Sequence, residues 1–356
     1  MEGAGLSIVM QISRAAHAKV NLMLSVGNAL PAEHAKAGYH PILSWFHAIA
    51  LHDTLTLARA AGASRYDIVW AEDAPRMSLI DWPLEKDLAV RAHKALEAKV
   101  GKALPVTMRL EKRIPVGGGL GGGSSDAAAA LLATRELYEL DVSDEALREI
   151  AMTLGSDVAF FVDTGVAEDV EEGGEEDEGD AERGHAPGAA IVGGLGEEIE
   201  RIAALDDALI VIVPEFGCAT GEVYKAFDEL RAKETRAYEI ERALAGNKGR
   251  ERLTGPRETM VKGRVERAMK AGRLDTDDLF NDLDKPAFMA EPRLGKLNTT
   301  LSSICRTPAH VTGSGSCLFV VPEPKKVEWT FGRVTKAIEA VQADVGPCVA
   351  ILTRLI

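Results

Sequence analysis

The sequence predicts a two-domain α+β protein, and three observations predict it. Strand-like alternation dominates the first part of the chain. A strand, a glycine-rich loop and an alanine-rich helix then follow one another between residues 105 and 132. A separate run of strands and helices begins after about residue 189. The boundaries expected are 8–167 for the first domain, 168–188 for an acidic insertion and 189–356 for the second domain. At 356 residues the chain is long enough to bury a substantial core in each domain.

The elements are justified in order. Ile8 to Ser25 reads as strand. Val20, Leu22 and Leu24 share one face and Lys19, Asn21 and Met23 the other, so spacing alone makes Lys19 a solvated edge lysine. Gly38-Tyr39-His40-Pro41 is a turn signature before strand-like stretches at Ile42 to Leu51 and His52 to Leu57. Asp67 to Ala71 suggests a strand. Leu84 to Val100 has helical spacing and stops at Gly101. Pro105 to Lys112 alternates, with Val106, Met108 and Leu110 on one face.

That strand runs into Pro115-Val116-Gly117-Gly118-Gly119-Leu120-Gly121-Gly122-Gly123-Ser124-Ser125-Asp126, followed by the helix-forming run Ala127 to Leu132. Glycine tolerates positive φ and lets backbone approach a ligand closely. Ser124, Ser125 and Asp126 are N-cap types. A loop of this kind feeding a helix aims unpaired N–H groups and the positive end of the helix dipole at one spot, which suits phosphate. It is not a Walker A loop, because no Lys follows the glycines, and Asp141, at a suitable distance for a Rossmann unit, lies after a helix rather than at the tip of a second strand.

Ser143 is a plausible cap for a helix through Met152. Asp157 then stands between Gly155-Ser156 and the apolar run Val158 to Val162, which reads as a strand. An Asp so placed is either a turn cap or a placed functional group. Further on, Ala208 to Pro214 reads as a fully apolar strand and Glu222 to Arg231 as a helix. Phe280 to Leu283 opens another helix. Thr312-Gly313-Ser314-Gly315-Ser316-Cys317 is a glycine turn before the strand Leu318 to Val321. Trp329 to Val341 is a helix, and Cys348 to Leu355 a closing strand.

Charge is concentrated. Residues 168–183 hold ten acidic side chains and one Arg, so removing that −9 from the net −14 leaves −5 for the rest. Such a segment buries too little apolar area to order itself. Residues 231–273 carry +7 and read as a basic helical insertion. No basic-aromatic platform suggests nucleic-acid binding. No apolar run is long enough to span a bilayer, so no membrane partner is expected. The first ten residues lack a basic, then apolar, secretory pattern. Cys218, Cys305, Cys317 and Cys348 are scattered, which argues against a zinc or disulfide framework and for a reducing, cytoplasmic setting.

Lys19, the loop at 115–125, Asp157 and the 312–317 turn together make the inventory for moving a γ-phosphoryl group onto an alcohol. At this point the sequence resembles the GHMP kinases (galactokinase, homoserine kinase, mevalonate kinase, phosphomevalonate kinase). Six further stretches agree in order: Ala18 to Leu22; Gly38-Tyr39-His40 with Phe46 and Asp53; Gly155 to Val158; Thr220 with Val223-Tyr224; Asn281 to Leu283; and Thr312 to Cys317.

The resemblance implies a two-domain α+β fold, with a ribosomal protein S5 domain 2-like N-terminal domain and a ferredoxin-like C-terminal one. ATP and acceptor would meet in the cleft between them. It implies Asp157 as catalytic base with Lys19 as its partner. ATP would be held by Pro115, Val116, Gly117, Gly118, Gly119, Leu120, Gly121, Gly122, Gly123, Ser124 and Ser125. Substrate-binding residues would be Asn21, Tyr39, His40, Thr220, Gly313 and Ser314. The doubled Gly-Gly-Gly, the early Lys19 and the Gly38-Tyr39-His40 turn narrow the resemblance to the branch whose acceptor is cytidine diphosphate methylerythritol, in the non-mevalonate isoprenoid pathway. Mg²⁺ is expected with ATP, with Ser124 or Ser125 as open choices for a protein ligand. The implied state is a monomer or homodimer. Alternatives are another small-molecule GHMP kinase, of homoserine or mevalonate type, or a non-catalytic nucleotide-binding relative. Two departures stand out: Ala159 where the family usually has Pro, and the insertions at 168–183 and 231–273.

Overall fold

The computed structural model describes residues 11–162, 186–244 and 255–356. The acidic stretch 168–183 and the start of the first strand, residues 8–10, lie outside them. The elements run β1 (Gln11–Val26), β2 (Ile42–Arg59), β3 (Arg65–Trp70), α1 (Leu88–Val100), β4 (Val106–Lys112), α2 (Gly122–Leu137), α3 (Asp144–Leu154) and α4 (Val158–Val162). Then come β5 (Ala190–Gly194), β6 (Glu198–Arg201), β7 (Ala208–Pro214), α5 (Thr220–Leu244), α6 (Glu258–Ala271), β8 (Phe280–Asn281) and α7 (Asp284–Ala290). The chain ends with α8 (Pro292–Cys305), β9 (Ala309–Val311), β10 (Leu318–Val320), α9 (Val327–Val345) and β11 (Cys348–Arg354). Among the described residues, no helix is long and apolar enough to cross a membrane.

Contacts divide the chain into two compact units that interleave along the sequence. Leu51–Val116 and residues 121–162 belong to the first, with residues 11–18. Lys19–Ala50, Gly117–Leu120 and residues 188–244 and 255–356 belong to the second. This differs from the contiguous boundary expected near residue 168. The long strands β1 and β2 each contribute residues to both units, and the tip of the glycine loop belongs with the second.

In the first unit, β2 pairs antiparallel with β4 (Leu55 opposite Leu110) and β3 pairs parallel with β4. The alternation of β4 puts Val106, Met108 and Leu110 at zero exposure. Helices α1 to α4 pack together, with α2 against both α1 and α4. Their ends are specified locally. The Asp87 carboxylate accepts from Ala89 N–H at the start of α1, Gly101 ends it at φ 69°, and Ser143 Oγ caps α3 through Ala146 N–H.

In the second unit, β11-β7-β10-β9 form a four-stranded antiparallel sheet. Its core joins Ile210, Ile212, Leu318 and Val320 to Leu297 and Leu301 of α8 and Val334 and Val341 of α9. β5 pairs antiparallel with Ile42–Phe46 of β2 and with β6.

The structure corrects four sequence expectations. Val158–Val162 is a helical turn rather than a strand: all five residues are buried, and a short apolar run does not distinguish the two by periodicity. Phe280–Asn281 pairs in parallel with Met23 and Leu24 before any helix begins, because those backbone groups complete the edge of β1. Helix α2 starts at Gly122 after Gly121 at φ 73°, so Ser124, Ser125 and Asp126 lie inside its first turns rather than capping it. Lys19 is buried, because Ala18–Val26 is covered on both faces of β1.

Candidate active site

The polar centre of the second unit is built on β1. Lys19 is 3% exposed, and its Nζ donates to Asn21 Oδ1 at 2.6 Å and sits 4.6 Å from the centre of the Phe46 ring. The Asn21 amide is engaged on both ends. Its Oδ1 also accepts from Thr312 Oγ1 at 3.4 Å, and its Nδ2 donates to Ser44 Oγ at 2.9 Å; Ser44 Oγ in turn donates to Met23 O at 2.6 Å. Asn21 N–H donates to Thr312 Oγ1 at 2.9 Å. A lysine and an amide two residues apart share a strand face, so a buried ammonium obtains an acceptor from its own strand.

Two glycine turns are held against this strand. Lys19 N–H donates to Leu120 O at 2.9 Å, and Cys317 N–H donates to Gly118 O at 3.2 Å. A Cβ on Gly119, which has φ 78°, would lie 2.6 Å from Thr312 O, so only glycine permits this approach. Asn281 Nδ2 donates to Val311 O at 2.9 Å and to Gly313 O at 2.7 Å, and the Thr220 and Ser314 hydroxyls are 3.0 Å apart. Lys19, Asn21, Gly118 to Leu120, Gly313, Ser314 and Thr220 are thus brought together in the second unit. Leu120 is buried, whereas Val116 and Gly117 are exposed. The buried leucine anchors a loop whose neighbouring backbone stays accessible.

A second cluster surrounds the 38–41 turn. His40 Nδ1 donates to Gly27 O at 2.9 Å, and Nε2 stands 3.5 Å from the Asp228 carboxylate. The His40 ring lies 5.0 Å from the ring of Tyr224 and 5.5 Å, edge-on, from that of Phe227. Tyr39 is 60% exposed, with Lys36 Nζ 5.7 Å from the centre of its ring. Tyr224, which in the sequence is only part of the Thr220 with Val223-Tyr224 stretch, is thus placed beside the turn. A cavity of about 480 Å³ lies along Pro41, Ile42 and Ile191. Its walls carry Glu198, Glu200 and Glu258 against one cation, Lys262, which pairs with Glu200 and Glu258, so they suit a phosphate poorly.

The first unit holds the remaining residues. Asp157 is half-buried at the turn before α4, and Ser156 Oγ donates to its Oδ1 at 3.2 Å. The base of the glycine loop carries a buried ionic group that sequence reasoning missed. Lys112 Nζ donates to both Asp53 Oδ2 and Asp126 Oδ2, and Asp53 Oδ1 accepts from Ile114 N–H at 2.7 Å and from Arg113 N–H. Burial opposes the Lys112 charge, but the two carboxylates outweigh it and hold its pKa above the usual lysine range. Burial, with the Asp53 charge, pushes the Asp126 carboxyl up. A parity signal was present. Lys112 continues the core-facing series Val106, Met108, Leu110, and Asp53 the series Leu55, Leu57.

The fold and this site define the class of protein. Residues 87–165 match the family model "GHMP kinases N terminal domain". A solved homoserine kinase from Cytophaga hutchinsonii shares the fold over 99% of this chain and 98% of its own, with TM-score 0.59 at 14% identity. A relative from Marinobacter nauticus, named 4-diphosphocytidyl-2-C-methyl-D-erythritol kinase, is 30% identical over 88% of this chain and 86% of its own length. One from Pelotomaculum thermopropionicum with the same name is 35% identical over 66% and 70%. The crystal structure of a 4-(cytidine 5'-diphospho)-2C-methyl-D-erythritol kinase matches 96% of this chain and 99% of its own with TM-score 0.63 at 26% identity. The chain is a GHMP kinase and, within that class, belongs to the 4-diphosphocytidyl-2-C-methyl-D-erythritol kinase family.

Proposed function

We propose that this chain transfers the γ-phosphoryl group of ATP to the 2-hydroxyl of 4-diphosphocytidyl-2-C-methyl-D-erythritol, with Lys19 and Asp157 as the catalytic residues. The observation that carries the reading is the buried Lys19. Its ammonium is fixed by Asn21, and its own backbone is bonded to Leu120 of the glycine loop.

The acceptor is a hindered tertiary alcohol of very weak acidity, so positioning and a nearby base matter. In the proposed step Asp157 accepts the hydroxyl proton. The hydroxyl oxygen forms the new bond to the γ-phosphorus, and the bond to the β–γ bridging oxygen breaks, releasing ADP. In a loose transition state the proton leaves late, so no strong base is required. Lys19 offsets the negative charge that develops, and burial makes that charge count for more than it would in water. Backbone N–H groups between Val116 and Gly123 receive the nucleotide phosphates at the start of α2.

Mg²⁺ would enter with the nucleotide and neutralise its phosphate charge. Among the described residues no group of three or more His, Cys, Asp or Glu is arranged for a metal. That fits an ion held mainly by phosphates and water. Ser124 is the partly exposed hydroxyl in the first turn of α2, whereas Ser125 is buried, so Ser124 is the protein oxygen to offer. Tyr39 would stack on the cytosine, with Tyr224 and His40 beside it, and Thr220, Gly313 and Ser314 would line the acceptor side. ATP as donor and unpaired cysteines suit a cytoplasmic setting.

The test is a coupled ADP-release assay with 4-diphosphocytidyl-2-C-methyl-D-erythritol against mevalonate, homoserine and galactose, with Asp157→Asn as control. Turnover restricted to the cytidine substrate and lost in the control is expected. Preference for an acceptor without cytidine overturns the assignment.

A further inference from the structure

We propose that Lys112 is a positioning residue for ATP, tying the two ends of the glycine loop together through Asp53 and Asp126 so that the loop is ordered before nucleotide arrives. The inference rests on the reading of residues 115–125 as the ATP loop.

The geometry closes the base of the loop from both sides. On the incoming side, the Asp53 carboxylate accepts the N–H groups of Arg113 and Ile114, the two residues immediately before Pro115. On the outgoing side, Asp126 lies one turn into α2. The Lys112 ammonium bridges the two carboxylates. All three side chains are buried, and Asp126 Oδ1 has no hydrogen-bond partner, so Lys112 is the group that compensates that carboxylate. Close packing reinforces the closure: a Cβ on Gly122 would lie 2.9 Å from Ile114 Cγ2.

A run of six glycines interrupted once has a large conformational freedom to lose on binding. Holding its ends lowers that cost in advance, which appears as affinity for the ligand the loop receives. The charge has a second consequence. Two buried carboxylates at the foot of a phosphate loop repel the nucleotide unless a cation stands between them. Lys112 supplies both the tie and the cation.

The experiment measures KM for ATP and for the cytidine acceptor, together with hydrogen exchange of peptides covering 113–126, in Lys112→Met, Asp126→Asn and the double variant. The expected result for Lys112→Met is an ATP KM raised by about tenfold or more. Its acceptor KM stays within about twofold, and loop exchange is faster without nucleotide and slowed again by saturating ATP. Asp126→Asn keeps the shape and weakens the tie, so it moves ATP KM the same way by less. The double variant restores the formal charge of the group without the tie, and its ATP KM stays high. Recovery of the wild-type ATP KM in the double variant overturns the tie. So do two KM values that rise in parallel, or a loss of thermal stability with both KM values unchanged. If Lys112→Met does not fold, an unchanged ATP KM in Asp126→Asn overturns the proposal alone. Absence of ATP binding by the wild-type protein is a different failure, that of the loop's assignment.

Discussion

Lys19 and Asn21 are two residues apart on one strand, both are buried, and the lysine ammonium donates to the amide oxygen at 2.6 Å. The amide is itself fixed by Ser44 and Thr312. The lysine's charge therefore has one orientation, set before any ligand binds, and stabilising charge needs no reorganisation when it is pre-aimed.

Asn21→Ala removes that aim. It also removes the buried acceptor shared by Lys19 Nζ and Thr312 Oγ1 and the amide donor to Ser44 Oγ, at a cost of about 1–3 kcal/mol each before water enters. The expected outcome is a kcat lowered by about 10- to 100-fold, with a lower melting temperature. Steady-state kinetics and a thermal melt check it; an unchanged kcat would remove Asn21 from the account.

Gly119→Ala tests the contact between the two glycine turns. A methyl group would lie 2.6 Å from Thr312 O at a backbone φ of 78°, so the turns must separate. A stability loss of about 1–3 kcal/mol is expected, with weaker ATP binding. Denaturant melts and calorimetric ATP titration measure both.

Tyr39→Ala removes an exposed ring with no core contact to lose. Stacking on a base is worth about 1–3 kcal/mol, so acceptor KM should rise about 5- to 100-fold while ATP KM and melting temperature hold. A parallel rise in both KM values would count against a cytosine platform.

The buried His47 supplies a pH test. Its Nε2 accepts from Leu205 N–H at 2.9 Å, which only the neutral ring does, and burial pulls its pKa from 6.5 down to about 4. A folded pKa below the unfolded one means the unfolded chain binds more protons between those values. The stability due to His47 is therefore full above pH 6.5 and is lost as pH falls toward 4. Asp284 works in the opposite sense, because burial pushes its carboxyl up to about 7. The readout is therefore a difference. The stability advantage of wild type over His47→Gln should shrink by up to about 3 kcal/mol between pH 7 and pH 4. Urea melts across that range measure it, and a constant difference would contradict the buried neutral ring.

Much of the fold was legible because its local signals agree with its tertiary ones. The alternation of Val106, Met108 and Leu110 made β4, Gly101 ended α1, and Ser143 capped α3; the start of α1, expected at Leu84, lies at Leu88 behind the Asp87 cap. Val158–Val162 was misread because its burial comes from α2 and α3 rather than from a sheet, and a five-residue apolar run carries no period to tell them apart. Lys19 was misread for a related reason: alternation reports which residues share a face, not whether the second face is covered. Its surroundings include Phe46 and Leu120, which come from distant parts of the chain.

By itself the sequence determined that a glycine-rich loop joins a strand to a helix, and that a lysine, an aspartate and a Tyr-His turn accompany it in the order of one kinase family. Those properties reside in residue type and spacing. Only the tertiary structure decided that Lys19 is buried and aimed by Asn21. It also decided that the 312–317 turn packs on Gly119, and that Lys112 bridges Asp53 and Asp126 beneath the loop. Each of these is a contact between residues far apart in sequence, and its energy depends on desolvation and on partners that no local pattern encodes.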